Sequence, residues 1–175
     1  IANSKKARKR IVLPEGHESR TLKAADIVLR EGIAQLILLG NPQVITAEAG
    51  KLGVDISKAA IIDPKTDVRR EKYAEMMVEI RKKKGLTIGE AFSLLDDPLC
   101  FGPMMLKAGD ADGELAGAIN ATGDVLRPAL QFVKTLPGIS IVSGAFLMFV
   151  NNLAFGHNGV LVFADCAVLP VPDER

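Results

Sequence analysis

Short runs of consecutive apolar residues alternate with longer stretches in which apolar positions recur every three or four residues, and this alternation organises the first two thirds of the chain. Residues 11–13 and 35–39 read as strands and residues 20–31 and 43–52 as helices, with Gly32 and Gly40 ending elements. In the first long helix Leu22, Ala25, Val28 and Leu29 share a face, Arg20, Lys23 and Asp26 lie elsewhere, and Ser19 is the expected cap. The run 36–39 is apolar without interruption, which suits a strand covered on both sides. A third strand falls at 60–62. Charged residues then dominate 65–84, with Tyr73, Met76, Met77 and Ile80 at helical spacing, before Thr87 opens a helix through Leu95. A strand-like run at 113–119 precedes the helical pattern of Leu126, Leu130 and Val133. The economical architecture is α/β, a parallel sheet with helices on both faces.

After Leu136 the pattern changes. Pro137 and Gly138 break the chain, and two strongly apolar β runs follow at 139–150 and 159–164. This predicts a first α/β domain over 1–137 and the beginning of a second, incomplete domain over 138–175. A strand-rich segment below roughly 40 residues seldom stabilises itself, and an edge as apolar as 146–150 needs another chain or further sequence to cover it.

Composition narrows the function classes. The chain of 175 residues is 48% hydrophobic and 25% charged with a formal net charge of +1, a balance that favours an ordinary globular fold and disfavours nucleic acid as a partner. The basic cluster Lys5, Lys6, Arg8, Lys9 and Arg10 lacks interleaved aromatics and reads as a solvated helix or tail. Cys100 and Cys166 are far apart and show no CxxC or Cys/His ligand spacing, so neither a disulfide scaffold nor a zinc site is indicated, and a reducing cytoplasm is expected. Cys166, at an apolar strand end without a neighbouring base, reads as a buried structural thiol. The apolar run 145–150 is far short of a membrane span, and the basic N-terminus leads into no signal-type segment. His17 and His157 are isolated, and Asp110, Asp112 and Glu114 lack the other ligands of a calcium loop and read as a turn, so no metal is expected.

Candidate chemistry concentrates at 118–130. Thr122, Gly123 and Asp124 set a turn and a helix start after an apolar run, and such a start, with the helix dipole, favours a phosphate or carboxylate. Gly123 permits close approach to the backbone, and Arg127 adds a planar, always-charged fork. Pro128 biases Arg127 away from helical geometry, so the helix starts either at Thr122 with a distortion or only at Pro128. The residues also fit a plainer reading in which Thr122 caps a helix and Arg127 pairs with a surface carboxylate. Ser143 and Gly144, inside the apolar run 139–150, are a second candidate pair, because a glycine in a strand marks close backbone approach or a bulge.

RIVLPEG at 10–16, DPLCFGPMMLKAGDADGELAGA at 97–118, TGDVLRPALQFVKTLPG at 122–138 and VFADCAV at 162–168 together resemble the phosphate acetyltransferase and butyryltransferase family, in order and spacing, over nearly the whole chain. The resemblance implies an enzyme that moves an acetyl group reversibly between acetyl phosphate and coenzyme A. It further implies three-layer α/β/α domains like those of isocitrate and isopropylmalate dehydrogenases, with the active site between two of them. By the family pattern Arg127 contacts the phosphate side of the substrate, Arg81 in EIRKKKG is a second cleft arginine, and Ser143 and Gly144 line the acyl-phosphate pocket. The residues alone leave Arg81 as a solvated cation at a helix end. The family's base, an aspartate, and its serine beside an arginine would follow residue 175, so the chain is expected to be a fragment, inactive alone. Coenzyme A or acetyl-CoA enters as substrate rather than as a bound cofactor, and a homodimer is expected. The alternatives are a phosphate butyryltransferase and a non-catalytic acyl-CoA or acyl-phosphate sensing module. A dehydrogenase of the same fold is disfavoured because no GxGxxG follows a predicted strand.

Overall fold

Four parallel strands form where the sequence carries its apolar runs: β1 (Arg10–Leu13), β2 (Gln35–Leu39), β3 (Ala60–Ile62) and β4 (Gly113–Glu114). The structure is a computed structural model and describes residues 2–139, 142–166 and 168. The sheet order is β3-β2-β1-β4, with Arg10 beside Gln35, Ile37 beside Ala60 and Ile11 beside Gly113. Successive strand residues face opposite sides. Leu13, Leu36 and Leu38 meet Leu22, Ala25 and Leu29 of α2 (Ser19–Glu31) and Ile45 and Ala49 of α3 (Pro42–Leu52). Val12, Ile37 and Leu39 meet the other layer, built from α4 (Arg70–Arg81), α5 (Ile88–Leu94) and α6 (Pro98–Ala108), where Tyr73, Met77, Phe101 and Met104 are fully buried. Each such side chain contributes about 1.5–3 kcal/mol over leaving it in water. The expected three-layer parallel α/β architecture is therefore present. A short helix over Ala2–Ala7 precedes β1, and its Lys5 approaches Glu31 at 3.9 Å.

Two local expectations are corrected. The cap of α2 is Glu18, whose carboxylate accepts the Thr21 N–H at 2.8 Å and pairs with Arg20, so Ser19 is already the first helical residue. The strand expected over 113–119 ends at Glu114: Leu115 N–H still reaches the Val12 carbonyl, but the amides of 117–120 turn to Glu15 instead of a neighbouring strand. The helix α6 was not anticipated from periodicity, yet its boundary chemistry is complete: Asp97 accepts the Leu99 N–H at 2.9 Å, Pro98 opens the first turn, and Gly109 closes it at φ 78°.

The chain divides into two compact units, residues 1–134 and 135–175. In the second, β5 (Ala145–Phe149) and β6 (Val160–Ala164) pair antiparallel, and no helix occurs among its described residues. β5 begins at Ala145, so Ser143 and Gly144 precede the strand instead of lying inside it. Phe146, Leu147, Met148, Phe149, Val162 and Phe163 are exposed. Cys166 is exposed as well, just beyond β6, and not the buried thiol that the sequence suggested.

Candidate functional site

From β1 the chain steps outward to β2 and β3, then returns across the sheet to place β4 on the other side of β1. This makes a topological switch point between β1 and β4, where the crevice beyond the carboxyl ends of the strands is the favoured ligand position in open α/β sheets. The chain leaves β1 through Pro14, Glu15 and Gly16, and leaves β4 through the loop 115–121. Gly16 is forced by space: a Cβ there would lie 2.6 Å from the Leu39 carbonyl oxygen and 3.0 Å from Ile45 Cδ1.

Glu15 is only 4% exposed and bridges the two strand ends. Its Oε2 accepts the N–H groups of Gly117 and Ala118 at 3.0 and 2.7 Å, and its Oε1 accepts those of Ile119 and Asn120 at 2.9 and 3.0 Å together with Asn120 Nδ2 at 2.8 Å. Burial alone would raise this carboxyl, but the converging donors outweigh it and hold it below the ordinary value. Four successive amides thus form an anion-binding nest already filled by an internal anion. Sequence reading passed over Glu15; its only signal was a glutamate and a glycine directly after an apolar run at a strand's carboxyl end.

Beyond the loop, α7 (Thr122–Pro128) starts at Thr122. Its cap position is Ala121, which makes no side-chain cap bond, so Thr122 is not the cap. The backbone continues past Pro128 as a π-helical turn over Ala129–Val133 and ends at Lys134 with φ 67°. Of the two expected registers, the one beginning at Thr122 with a distortion is found, consistent with the amide that Pro128 lacks. Thr122, Gly123 and Arg127 are all exposed, and nothing lies within 4 Å of where a Gly123 Cβ would sit. Gly123 and Arg127 are four residues apart and so share one helix face, with open space at the glycine. Among the described residues no carboxylate lies within ion-pair distance of Arg127, so the surface pairing offered as its plainer role is not seen.

A cavity of about 380 Å3 adjoins this helix, lined by Asp97, Cys100, Asn120, Asp124, Arg127 and Gln131 among others. It is not a simple anion hole, since Asp97 and Asp124 share it with Arg127. Thr122 and Gly123 do not line it; they lie exposed at the start of α7, and Arg127 alone of the three reaches the cavity. Cys100 is no nucleophile: burial, with Asp97 and Glu114 nearby, pushes its thiol up to about 12. Glu114 is itself pushed up to about 7 by burial, and its Oε1 has no hydrogen-bond partner among the described residues.

The other sequence candidates are dispersed. Arg81 ends α4 and is half-buried, ahead of a 3-10 turn over Lys82–Lys84; it does not line the Arg127 cavity. In the second unit Gly144 donates its N–H to Asp165 Oδ2 at 3.2 Å and accepts the Cys166 N–H at 3.3 Å, which is a close backbone approach, while Ser143 is exposed. Asp112 pairs with Arg10 at 3.0 Å and Asp110 accepts the Tyr73 hydroxyl at 2.5 Å, in keeping with a turn. Among the described residues no group of His, Cys, Asp and Glu is placed to hold a metal, and no helix is long and apolar enough to cross a membrane.

Comparison with known proteins bears on the family and the fold. The family described as Phosphate acetyl/butaryl transferase matches residues 1–175. A phosphate acetyltransferase of Thermoanaerobacterium thermosaccharolyticum is 56% identical over 100% of this chain and 53% of its own length, and one of Clostridium acetobutylicum is 48% identical over 97% and 51%. The crystal structure of a phosphotransacetylase from Streptococcus pyogenes superposes with a TM-score of 0.86 at 39% identity, covering 95% of this chain and 50% of that one. The chain spans about half the length of the curated relatives it matches. It belongs to the phosphate acetyl/butaryl transferase family.

Proposed function

We propose that the protein carrying this segment is a phosphate acetyltransferase, interconverting acetyl phosphate plus coenzyme A with acetyl-CoA plus phosphate. The observation that carries the reading is Arg127, exposed and without an ion-pair partner among the described residues, one turn along α7 from the open backbone at Gly123, beside the switch point. A dianionic acyl phosphate rewards a bidentate guanidinium beside helix amides with no acceptor of their own. In the forward step the coenzyme A sulfur attacks the acetyl carbonyl carbon, the carbonyl-to-phosphate oxygen bond breaks, and phosphate leaves with the electron pair. Arg127, Thr122 and Gly123 hold that phosphate alike before and after the bond breaks.

A base must take the thiol proton. By the family resemblance we assign the base, with an oxyanion donor, to the half of the relatives' length that this chain does not span. Arg81, Ser143 and Gly144 are assigned to the same substrate, Arg81 as a second anion contact and the latter two at the acyl side. Coenzyme A and acetyl-CoA act as substrates with no bound cofactor, the setting is the cytoplasm, and nucleic acid and membrane play no part. A homodimer is the proposed assembly, supported by the apolar side chains that β5 and β6 leave exposed.

Thioester formation from acetyl phosphate and coenzyme A tests the reading, measured on the 175-residue chain and on the longest natural form of the protein. Activity in the long form alone is expected. Tight acyl-CoA binding without turnover in the long form would replace the transferase with a sensing module, and preference for butyryl phosphate would make it a butyryltransferase.

A further inference from the structure

The loop 115–121 carries the chain from β4 to α7, yet it has almost nothing of its own to hold it. It has no strand partner beyond Leu115, whose N–H donates to the Val12 carbonyl at 2.9 Å. Its larger apolar residues, Leu115 and Ile119, are 69% and 56% exposed and bury little. The helix it feeds begins at Thr122 with Ala121 in the cap position and no side-chain cap, so no side chain at α7 itself fixes where the first turn starts. Two groups from the far side of the crevice supply the order. Arg20 of α2 donates to the Ala118 carbonyl. Glu15 accepts all four amides from Gly117 to Asn120 and the Asn120 side chain. Asn120 is both the last residue held and a lining residue of the cavity that contains Arg127.

From this arrangement we infer that Glu15 is a positioning residue for the anion site: by clamping residues 117–120 across the switch point it sets the start of α7 and thereby aims Thr122, Gly123 and Arg127 at the phosphoryl group. The inference rests on the proposed acyl-phosphate reading. It differs from a purely structural role in what it demands. Both Glu15 oxygens are taken by the loop, and the sheet core closes without this side chain, through Val12, Leu13, Leu36, Leu38 and Leu39. Its effect therefore falls on ground-state holding of the anion, which raises KM and leaves kcat nearly unchanged. A general loss of folded protein would lower kcat instead.

The test is Glu15→Gln in the full-length protein. Glutamine keeps the shape but turns one acceptor oxygen into a donor facing amide donors, which breaks part of the clamp. Amide hydrogen exchange across 117–120 is expected to speed up by about tenfold or more, and KM for acetyl phosphate to rise by about tenfold, with kcat and KM for coenzyme A little changed. Glu15→Asp, which keeps the charge but is one methylene shorter, should fall between the two, and it takes over the test if the glutamine variant does not fold. An unchanged KM in a folded variant whose loop exchanges faster would overturn the inference while leaving the transferase reading intact. No thioester formation by the wild-type protein would overturn the reading itself, and the positioning role with it.

Discussion

At the scale of single residues, the positions that matter most are those where a side chain has no room or no partner. Gly16 is one: the atom nearest to an added methyl is a backbone oxygen that cannot swing aside. Gly16→Ala should therefore cost about 1–3 kcal/mol, seen as a lower urea midpoint with an unchanged slope. Glu114 is another. Its folded carboxyl holds a proton up to about 7, whereas in the unfolded chain it loses it near 4.5. The folded state thus binds more protons between those values, and stability falls as pH rises through that window, by on the order of 3 kcal/mol. In Glu114→Gln that slope should disappear, so the variant gains on the wild type from about pH 4.5 to 7 and matches it most closely below; parallel melting curves across the window would contradict the assignment. Glu15 has the opposite sign. Its carboxyl lies below the ordinary value, so the loop clamp holds at neutral pH and loosens as pH falls through the folded value. Such polar commitments are poorly legible in a sequence, because Glu15 and its acceptor-starved amides are about a hundred residues apart.

At the scale of elements, the apolar pattern was a sound guide wherever burial decides the conformation. β2 and β3 and the helices α2 to α5 follow from runs and spacings whose side chains do end up between the layers. Reading failed where another force prevailed. The expected strand over 113–119 stops after two residues because Glu15 captures its amides, and α6 escaped notice because Gly102 and Pro103 interrupt an otherwise uniformly apolar face. Gly102 has its own reason: a Cβ there would sit 3.0 Å from Glu114 Oε2, so the helix approaches β4 through a glycine. In α7 a helix start at Thr122 was one of the two registers the sequence left open, and the candidate motif of Thr122, Gly123 and Arg127 carried no geometry of its own. Arg127 stands a turn beyond the helix start, and only the structure shows the empty space at Gly123 on the same face. Packing makes no demand for glycine at 123, where the backbone is helical. Gly123→Ala should accordingly leave stability equal or higher by up to about 1 kcal/mol, while weakening acyl-phosphate binding. Loss of stability without loss of binding would show that the glycine serves the fold and not a ligand.

At the scale of the whole molecule, the parallel order β3-β2-β1-β4 turns one local motif into a site, because the return across the sheet brings the end of β1 and the end of β4 to a common crevice. The sequence motifs identify the family, and the topology explains why TGDVLRP lies where a ligand would. The second unit leaves both its strands with exposed aromatic and aliphatic side chains. The whole account turns on Arg127 as the phosphoryl contact. The decisive measurement is KM for acetyl phosphate in the full-length protein and in Arg127→Gln, with melting temperature recorded for both. Loss of a charge-assisted bidentate contact predicts a rise of about tenfold to a hundredfold with little change in melting temperature, since Arg127 is exposed and has no ion-pair partner among the described residues. An unchanged KM would contradict the account and move the phosphate site away from α7.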